Sequence, residues 1–189
     1  MESNPCTDTL TDVEYLEHMI PHHQVAVDMS KLLLSQSQNP KMLYIARTII
    51  WQQNYEIWEM EMMKSKLPNS PFNGLNYTLG NKRTTLDIYN PLLSKSKDNE
   101  CNPLFFKPDE HVKMMNMMKI TDNSYLEHMI PHHQVAINMT NRLLLYTNNS
   151  YLQDFCHKLI INQQGEIYTM NNLLKNTYTY KSELFNSEH

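Results

Sequence analysis

The sequence predicts an all-α protein, a four-helix bundle built from two repeated antiparallel helix hairpins with a long connection. The segment YLEHMIPHHQVAVDMS at 15–30 returns as YLEHMIPHHQVAINMT at 125–140, which is an internal duplication at an offset of 110 residues. Apolar residues in each copy recur at three- and four-residue steps, the period of a helix. Because neither hairpin could bury its apolar faces alone, we expect the two repeats to form one domain about a pseudo-two-fold axis.

The boundaries of each element follow from capping residues and helix breakers. The first helix should start at Thr11, whose side chain can cap it, and should end within SQSQNP at 35–40. A second helix is predicted over about 41–66, and the second copy repeats this plan. Pro21 and Pro131 lie inside the helical pattern and each removes a backbone donor, so we expect each helix to bend or restart there.

The connection between the hairpins has no counterpart in the repeat and is rich in Pro, Asn, Ser and Lys. Within it, PDEHVKMMNMMK at 108–119 is predicted to form a short Met-rich helix. The predicted divisions are an N-terminal tail at 1–10, a first hairpin at 11–66, the connection at 67–120, a second hairpin at 121–176 and a C-terminal tail at 177–189.

The composition excludes several classes of partner and location. A net charge of -4 leaves no basic surface for nucleic acid or an anionic membrane. The N-terminal residues lack a basic patch followed by an apolar run, and no run reaches the roughly 18 apolar residues of a membrane helix, which favours an intracellular protein. Cys6, Cys101 and Cys156 do not follow the repeat, which argues against a disulfide framework and for a reducing compartment.

The repeat preserves the residue types that bind soft metal ions. Between 11–30 and 121–140, 15 of 20 positions are identical, and these include every His and Met. Residues three or four apart share a helix face, so Met19 and His22 can meet one ion. Thioether and imidazole ligands together favour Cu(I), with Ag(I) as its analogue, and Cu(II) is a further alternative. Zinc fits less well because the partner helix has no second His cluster and HExxH is absent.

The hairpin turn near residue 38 sets which residues of the second helix face the histidines. Gln53, Glu56 and Met60 should lie level with His22, and we expect the carboxylate to orient a ligating imidazole and the glutamine to be hydrogen-bonded. Met29 lies roughly 10 Å along the axis from His22, so it should serve a second ion or the core. The predicted metal ligands are Met19, His22, His23, Met29 and Met60, with Met129, His132, His133, Met139 and Met170 in the second copy. Additional or supporting candidates are His18, Glu56, His128, Glu166, His111, Met114 and Met118.

Three functions remain open at this stage. The favoured one is a non-enzymatic copper-binding protein acting in metal buffering, storage or transfer, because no nucleophile–base pair, phosphate loop or redox motif indicates catalysis. Met at helical spacing usually fills a core, so the alternative is a structural or interaction bundle without metal. A third is a metal-dependent redox enzyme. The cluster from His111 to Met118 is either an access or transfer site for Cu(I) or a Met-rich lid.

The residues that carry this argument also carry a family resemblance. HMIPHHQVAVDMS followed by ARTIIWQQNYEIWEM resembles the DUF305 family of ferritin-like, copper-associated proteins, and the pattern is present in both copies over about two thirds of the chain. The resemblance implies an all-helical bundle that binds copper through His and Met. The resemblance does not identify the protein that would donate or accept the metal. A homo-oligomer is a further alternative. The motif falls on Met19, His22, His23, Met29, Gln53, Glu56 and Met60, and on Met129, His132, His133, Met139, Gln163, Glu166 and Met170.

Overall fold

The computed structural model describes residues 3–67, 101–117 and 119–185, with the backbone alone at 116 and 176–185. The predicted all-α class is confirmed, since this part of the chain contains five α-helices and one short 3-10 helix but no strand. None of its helices is both long and apolar enough to cross a membrane. The helices are α1 (Asp12–Gln36), α2 (Pro40–Lys66), α3 (Pro108–Asn116), α4 (Asp122–Leu144) and α5 (Ser150–Phe185), and the 3-10 helix is Pro103–Phe106.

Capping residues start the helices close to where the sequence predicts. The Thr11 hydroxyl accepts from the Glu14 backbone N–H at 3.2 Å, and the Glu14 carboxylate accepts from the Thr11 N–H at 2.8 Å, which is a capping box. Asn39 caps α2 with Pro40 in the first turn, where its missing donor costs nothing. Both α1 and α4 are assigned as helix through Pro21 and Pro131, so neither helix restarts there.

Helices α1 and α4 cross in an antiparallel sense, and two matching hydrogen bonds define the crossing. The Tyr15 hydroxyl lies 2.7 Å from the Thr140 hydroxyl, and the Tyr125 hydroxyl lies 2.7 Å from Ser30. Adding 110 to Tyr15 and subtracting it from Thr140 converts the first pair into the second. The start of each helix therefore packs beside the end of the other.

The buried apolar residues form two clusters that draw on both halves of the chain. The first cluster joins the start of α1 and the end of α2 to the end of α4 and the start of α5, and the second reverses these roles. Leu16, Met19 and Met60 of the first cluster become Leu126, Met129 and Met170 of the second on adding 110. The first cluster further contains Met139, Leu143, Leu152, Phe155, Cys156 and Leu159, and the second Met29, Leu33, Met42, Ile45, Ala46 and Ile49.

The segments outside the hairpins are tied to them more closely than the sequence predicts. Cys6 and Cys101 form a disulfide with a Cα–Cα distance of 6.0 Å, so the expectation of no disulfide was wrong. The odd count of cysteines misled because Cys156 alone is free and buried. Leu10 of the expected N-terminal tail is buried in the first cluster. Helix α5 continues to Phe185, past the expected boundary at residue 176, and residues 68–100 of the connection lie outside the described part.

Candidate metal centre

Two histidines meet where α1 and α4 cross. His22 and His132 are fully buried, and their ring centroids lie 3.7 Å apart with 32° between the ring planes. They are equivalent positions of the two copies, so they meet because the crossing brings the two copies of the motif together at their centres. His23 and His133 flank the pair, with centroids 6.2 and 6.0 Å from the adjacent His of the same helix.

The nitrogens of this central pair have no ordinary hydrogen-bond partners. Both ring nitrogens of His22 and both of His132 are buried without a protein hydrogen bond of normal geometry. Each buried polar atom left unpaired costs about 1–3 kcal/mol, so such groups are rare in a native core. Four such nitrogens side by side can bind a metal ion or form hydrogen bonds to a small polar ligand.

Burial also decides the charge state of these rings. It lowers the pKa of both His22 and His132 well below the ordinary value of 6.5, and the charges of neighbouring histidines lower it further. The two imidazoles are therefore neutral near pH 7, and each has a nitrogen lone pair. A neutral imidazole is the form that binds a metal ion.

A carboxylate holds the second histidine of each copy. His23 Nε2 lies 2.8 Å from Glu56 Oε2, and His133 Nε2 lies 2.7 Å from Glu166 Oε2, which is the imidazole–carboxylate contact that the hairpin geometry predicts. Burial by itself would raise the pKa of Glu56, but the hydrogen bond and charge of His23 leave that pKa below its usual value. The contact fixes each ring and directs its other nitrogen, Nδ1, into the core, where it has no partner.

The two carboxylates differ in their second oxygen. Glu56 Oε1 accepts from Gln52 at 3.1 Å and from Asn162 at 3.4 Å, so it is hydrogen-bonded from both hairpins. Glu166 Oε1 is buried without a partner. Asn162 is the counterpart of Gln52, and its shorter side chain bonds the other copy's carboxylate. The two halves of the centre are therefore chemically unequal.

Eight buried methionines lie in the two apolar clusters on either side of the histidines, and six of them are predicted ligands; the other two, Met42 and Met115, lie in the second cluster. Met19 and Met60 share the first cluster with Met139 of the second copy. Met129 and Met170 share the second cluster with Met29 of the first copy. Each predicted Met pair is thus joined by a third Met from the other hairpin, a grouping that the sequence alone does not reveal.

The core glutamines are not the hydrogen-bonded residues that the sequence indicates. Gln53 and Gln163 are buried, but neither side-chain amide has a hydrogen-bond partner. That expectation was wrong because neither amide is placed to form a hydrogen bond with a backbone group, a hydroxyl or another polar side chain. The two amides add further unsatisfied donors and acceptors to the same region of the fold.

Two phenylalanines that the sequence analysis did not single out cover the histidine pair. The Phe105 ring lies 4.9 Å from His132 and 6.2 Å from His22, and the Phe106 ring lies 5.1 Å from His22, all between centroids. Both belong to the short 3-10 helix in the connection. The only signal for them was an aromatic pair in PLFF, outside the repeat. They exclude water from one side of the pair.

The additional candidates are distributed unevenly. His128 Nε2 lies 3.2 Å from His111 Nε2, whereas the equivalent His18 bonds the Ser3 hydroxyl at 3.0 Å. Met114 is half-buried against the second cluster, and Met118 lies outside the described residues. Across the described residues, no three His, Cys, Asp or Glu side chains converge as ligands of one ion. A metal ion bound in this part of the chain would therefore need methionine sulfur, a small side-chain movement, or both.

These features define an all-helical protein with four buried histidines between two Met-containing apolar clusters. We call the four histidines the histidine layer: His22, His23, His132 and His133. The chain belongs to the DUF305 family: residues 12–174 match the domain of unknown function DUF305. A curated relative, uncharacterized protein L153 of Acanthamoeba polyphaga mimivirus, is 38% identical over 65 residues, which are 33% of this chain and 43% of that protein. The match thus spans less than half of the length of this relative.

Solved structures share the fold. CopM in a silver-bound form obtained by soaking is 24% identical, with a TM-score of 0.65, and the match covers 90% of this chain and 99% of that one. CopM in a Cu(I)-bound form is 27% identical, with a TM-score of 0.60, over 89% and 99% of the two chains. A DUF305 fragment from Deinococcus radiodurans is 23% identical, with a TM-score of 0.56, over 92% and 99%.

The buried neutral histidines predict how metal-free protein responds to acid. As pH falls through about 6.5, the unfolded chain binds protons that folded His22 and His132 exclude, so stability should be intact above that pH and fall below it. Two such protons correspond to about 2.7 kcal/mol per pH unit. The check is urea unfolding from pH 7.5 to 5.5, with H22L/H132L expected to show a shallower decline. Parallel declines in both proteins would contradict burial of these rings as the cause.

Proposed function

We propose that this protein binds copper as cargo, with Cu(I) the favoured state and Ag(I) or Cu(II) as further ions, and that it buffers, stores or transfers the metal without catalysis. In this proposal the two hairpins are repeats that form one ferritin-like four-helix bundle and one domain. The metal binds in and beside the histidine layer where α1 crosses α4. Zinc is the less favoured ion.

One observation carries the proposal: four nitrogens without a hydrogen bond of normal geometry belong to two neutral imidazoles packed against each other in the core. At about 1–3 kcal/mol for each unpaired group, their cost is comparable with much of the 5–15 kcal/mol by which a typical domain is stable. Apolar side chains of similar size would remove that cost. A core that only needed packing has no use for this layer, whereas a metal site requires lone pairs of this kind.

The identity of the ion follows from the donor set. Imidazole nitrogen alone would admit zinc, but the buried thioethers in both apolar clusters are soft ligands and favour Cu(I). Similarity to CopM, which has been solved in Cu(I)-, Cu(II)- and silver-bound forms, supports copper as the ion, and the preference for Cu(I) rests on the thioethers. Phe105 and Phe106 keep water from the histidine pair, which suits the less strongly hydrated ion.

We assign the thioether ligands to two sets that each combine both hairpins. The first set is Met19, Met60 and Met139, and the second is Met129, Met170 and Met29, because each trio shares one buried cluster and the two trios occupy equivalent positions of the two copies. His22, His23, His132 and His133 supply the imidazoles. Glu56 and Glu166 hold the rings of His23 and His133 and are not themselves ligands. His18, which bonds Ser3, lies outside the set.

The alternative is a structural bundle that keeps these residues from a metal-binding ancestor. Unpaired buried groups speak against it, because mutation toward apolar residues would stabilise such a bundle. The redox-enzyme hypothesis would require a bound ion with an open coordination position and turnover with peroxide or oxygen.

Copper binding can be measured by anaerobic titration of Cu(I) against a coloured competing chelator, with Zn(II) in parallel. We expect the protein to withdraw Cu(I) from the chelator and to gain stability from it, about 2.7 kcal/mol at a free ion concentration a hundredfold above Kd. H22A/H132A should weaken the competition by about a hundredfold or more, since each of the two lost ligands costs on the order of 1.4 kcal/mol or more.

The matched control is H157A, which removes an exposed histidine outside the layer. It should compete like the unmodified protein. Equal competition by all three proteins, or none by any of them, would refute the proposed site. A preference for Zn(II) over Cu(I) would refute the choice of ion.

The partition of the methionines yields a separate prediction. M19L/M60L/M139L should abolish one set of thioethers and leave the other intact, so roughly half of the Cu(I) bound through sulfur should remain. M19L/M60L/M29L carries the same number of Met-to-Leu changes but affects both sets. Leucine is close to methionine in volume, so both variants should fold.

The measurement is bound Cu(I) per chain together with the sulfur contribution to X-ray absorption at the copper edge. The first variant should show one population that resembles the unmodified protein, and the second should show two weakened populations. Identical titrations for the two variants would contradict the assignment of Met29 and Met139 to opposite sets.

A further inference from the structure

His111 stands outside the repeat and contacts the centre from the side. It lies on α3, which packs on α1, and its side chain is fully buried. Its Nε2 faces the Nε2 of His128 at 3.2 Å, while its Nδ1 is buried without a hydrogen bond. Two imidazole nitrogens about 2 Å from one ion stand at most about 4 Å apart, so separating the rings by less than about 1 Å would admit an ion between them.

A series of imidazoles runs inward from His111. After the contact between His111 and His128, the His128 ring is nearly parallel to His132 at a centroid distance of 6.4 Å, and His132 stacks on His22 at 3.7 Å. Phe105 packs edge-on against both His128 and His132, with centroids 4.9 Å from each. The series therefore consists of imidazole nitrogens that could bind a metal ion, and an apolar ring covers it.

A cleft of about 460 Å³ lies between α1 and α3 beside the outer end of this series. His111 lines it together with Met29 and Met115, two soft ligands, and with Asp28 and Lys31. The Lys31 Nζ lies 3.7 Å from the Asp28 Oδ1, so the carboxylate at the cleft is held in an ion pair. A cation approaching from solvent thus meets this paired carboxylate, and the more deeply buried thioethers and the His111 imidazole lie behind it.

The second hairpin supplies His128 and His132 of this series, and the first hairpin has no equivalent of the contact with His111. His18, the counterpart of His128, bonds Ser3 rather than another histidine. Asp28 has Asn138 as its counterpart, which is uncharged. His128 of the second copy therefore has a contact from α3 that the equivalent His18 of the first copy lacks.

We propose that His111 and His128 form a two-imidazole access site for Cu(I), which takes the ion from the cleft beside Asp28 and passes it to His132 in the central layer. The inference rests on the copper-binding function proposed above. Cu(I) enters and leaves in the same oxidation state, and the proton between the two Nε2 atoms moves to the Nδ1 of the same ring. The pair is a transit site, so it governs the rate of loading rather than the final content.

The test is the rate at which Cu(I), presented on a coloured chelator without oxygen, loads the full chain in a stopped-flow instrument. H111L should slow loading by about tenfold or more, because the ion must then wait for local opening that costs on the order of 1.4 kcal/mol. H18L is the matched control and should load at the unmodified rate. D28N, which reproduces Asn138, should slow loading at low salt and lose the effect at high salt.

The outcomes separate this inference from the copper function. Unchanged Cu(I) per chain with slow loading in H111L supports the access site. Unchanged content and unchanged rate overturn it while leaving copper binding in place. Reduced content in H111L at equilibrium overturns the transit role in favour of a storage site, and no copper in any protein refutes the function itself. Circular dichroism of each variant checks that the fold is intact.

A second and independent feature is an apolar seam on the outer face of α2, formed by Tyr44, Trp51, Tyr55, Trp58 and Met62. Their spacings of seven, four, three and four residues place them on one helix face in a coiled-coil register. The side chains are largely exposed, with 72% for Trp51, 51% for Tyr55 and 54% for Trp58. Trp51 stacks on Tyr55 at 6.5 Å and Tyr55 on Trp58 at 5.7 Å, so the rings form a continuous surface.

The second copy does not keep this seam. The equivalent face of α5 carries Ile161 and Tyr168 but otherwise polar residues and Gly165. Large contiguous apolar patches on a soluble protein mark an interaction surface. The seam therefore belongs to α2 alone and is a surface for one partner.

Charges beside the seam indicate what that partner is. Arg47, Asn54 and Glu61 are exposed and lie seven residues apart along one side of the seam. An antiparallel second copy of α2 would set Arg47 against the Glu61 of the other copy twice and Asn54 against itself at the centre. It would also place Trp51 of one copy on Tyr55 of the other, and Tyr44 of one copy on Met62 of the other. Each aromatic ring would then meet a side chain of another type. A parallel copy would stack each tryptophan on itself.

We infer that the α2 seam binds a second copy of this chain in an antiparallel arrangement. The test is the mass of metal-free protein by sedimentation equilibrium over a concentration series. W58E should shift the protein to monomer, and Y168E, the equivalent exposed aromatic of the second copy, should leave the dimer intact. R47E and E61R should each weaken association by about tenfold or more, and R47E/E61R should restore it.

A monomer at all concentrations overturns this inference, as does a dimer that W58E leaves unchanged. Failure of the double charge exchange to restore a dimer weakened by both single changes overturns the antiparallel arrangement. Unmodified protein that stays monomeric and yet binds a different chain through α2 would also overturn the second-copy assignment.

Discussion

The constraint on which the rest of the structure depends is the burial of two neutral imidazoles where α1 crosses α4. His22 and His132 are equivalent residues of the two copies, so they can stack only if the copies meet near a two-fold relation. The matching bonds of Tyr15 to Thr140 and of Tyr125 to Ser30 hold the helices in that register at both ends of the crossing. The hydroxyls of each pair hydrogen-bond to each other, whereas the nitrogens of His22 and His132 between the two pairs have no such partner. The unpaired groups therefore lie at the centre of the crossing rather than along its whole length.

The same crossing explains why the methionines are divided as they are. In an antiparallel pair, moving forward along one helix corresponds to moving backward along the other. Met29, seven residues after His22, therefore lies level with the region seven residues before His132, where Tyr125 and Leu126 stand. It joins the cluster of Met129 and Met170 rather than that of Met19, and Met139 does the reverse. The distance of roughly 10 Å that separates Met29 from His22 along α1 is what brings it to the partner hairpin.

This division shows how far sequence reasoning reaches. Helix boundaries and a contact between Glu56 and an imidazole of α1 depend on local rules of capping and period and on one short turn, so they could be predicted from the residues, although the structure alone identifies that imidazole as His23. The sharing of Met29 and Met139 between hairpins depends on the crossing of α1 and α4, which no local pattern encodes. Phe105, the disulfide of Cys6 with Cys101 and the contact of His111 with His128 involve segments outside the repeat, where there is no second copy to signal importance. The unpaired amide of Gln53 was missed for a different reason: glutamine in a core is usually bonded, and the exception is visible only once its neighbours are known.

The departures from symmetry determine how two similar halves can differ in chemistry. Glu56 is hydrogen-bonded by Gln52 and Asn162, while the second oxygen of Glu166 is buried without a partner. The carboxylate with fewer competing donors keeps more of its acceptor capacity for its histidine, and such a contact orients a ligating imidazole. His133 and His23 are therefore held by carboxylates in different polar surroundings. His133 also lies on the same helix as His128, through which an ion arriving past His111 would reach the centre. In the proposed path, an ion that leaves the His111–His128 pair thus reaches the helix of His133 before it meets the helix of His23, so the asymmetry of the α3 contact sets the order in which the two halves are loaded.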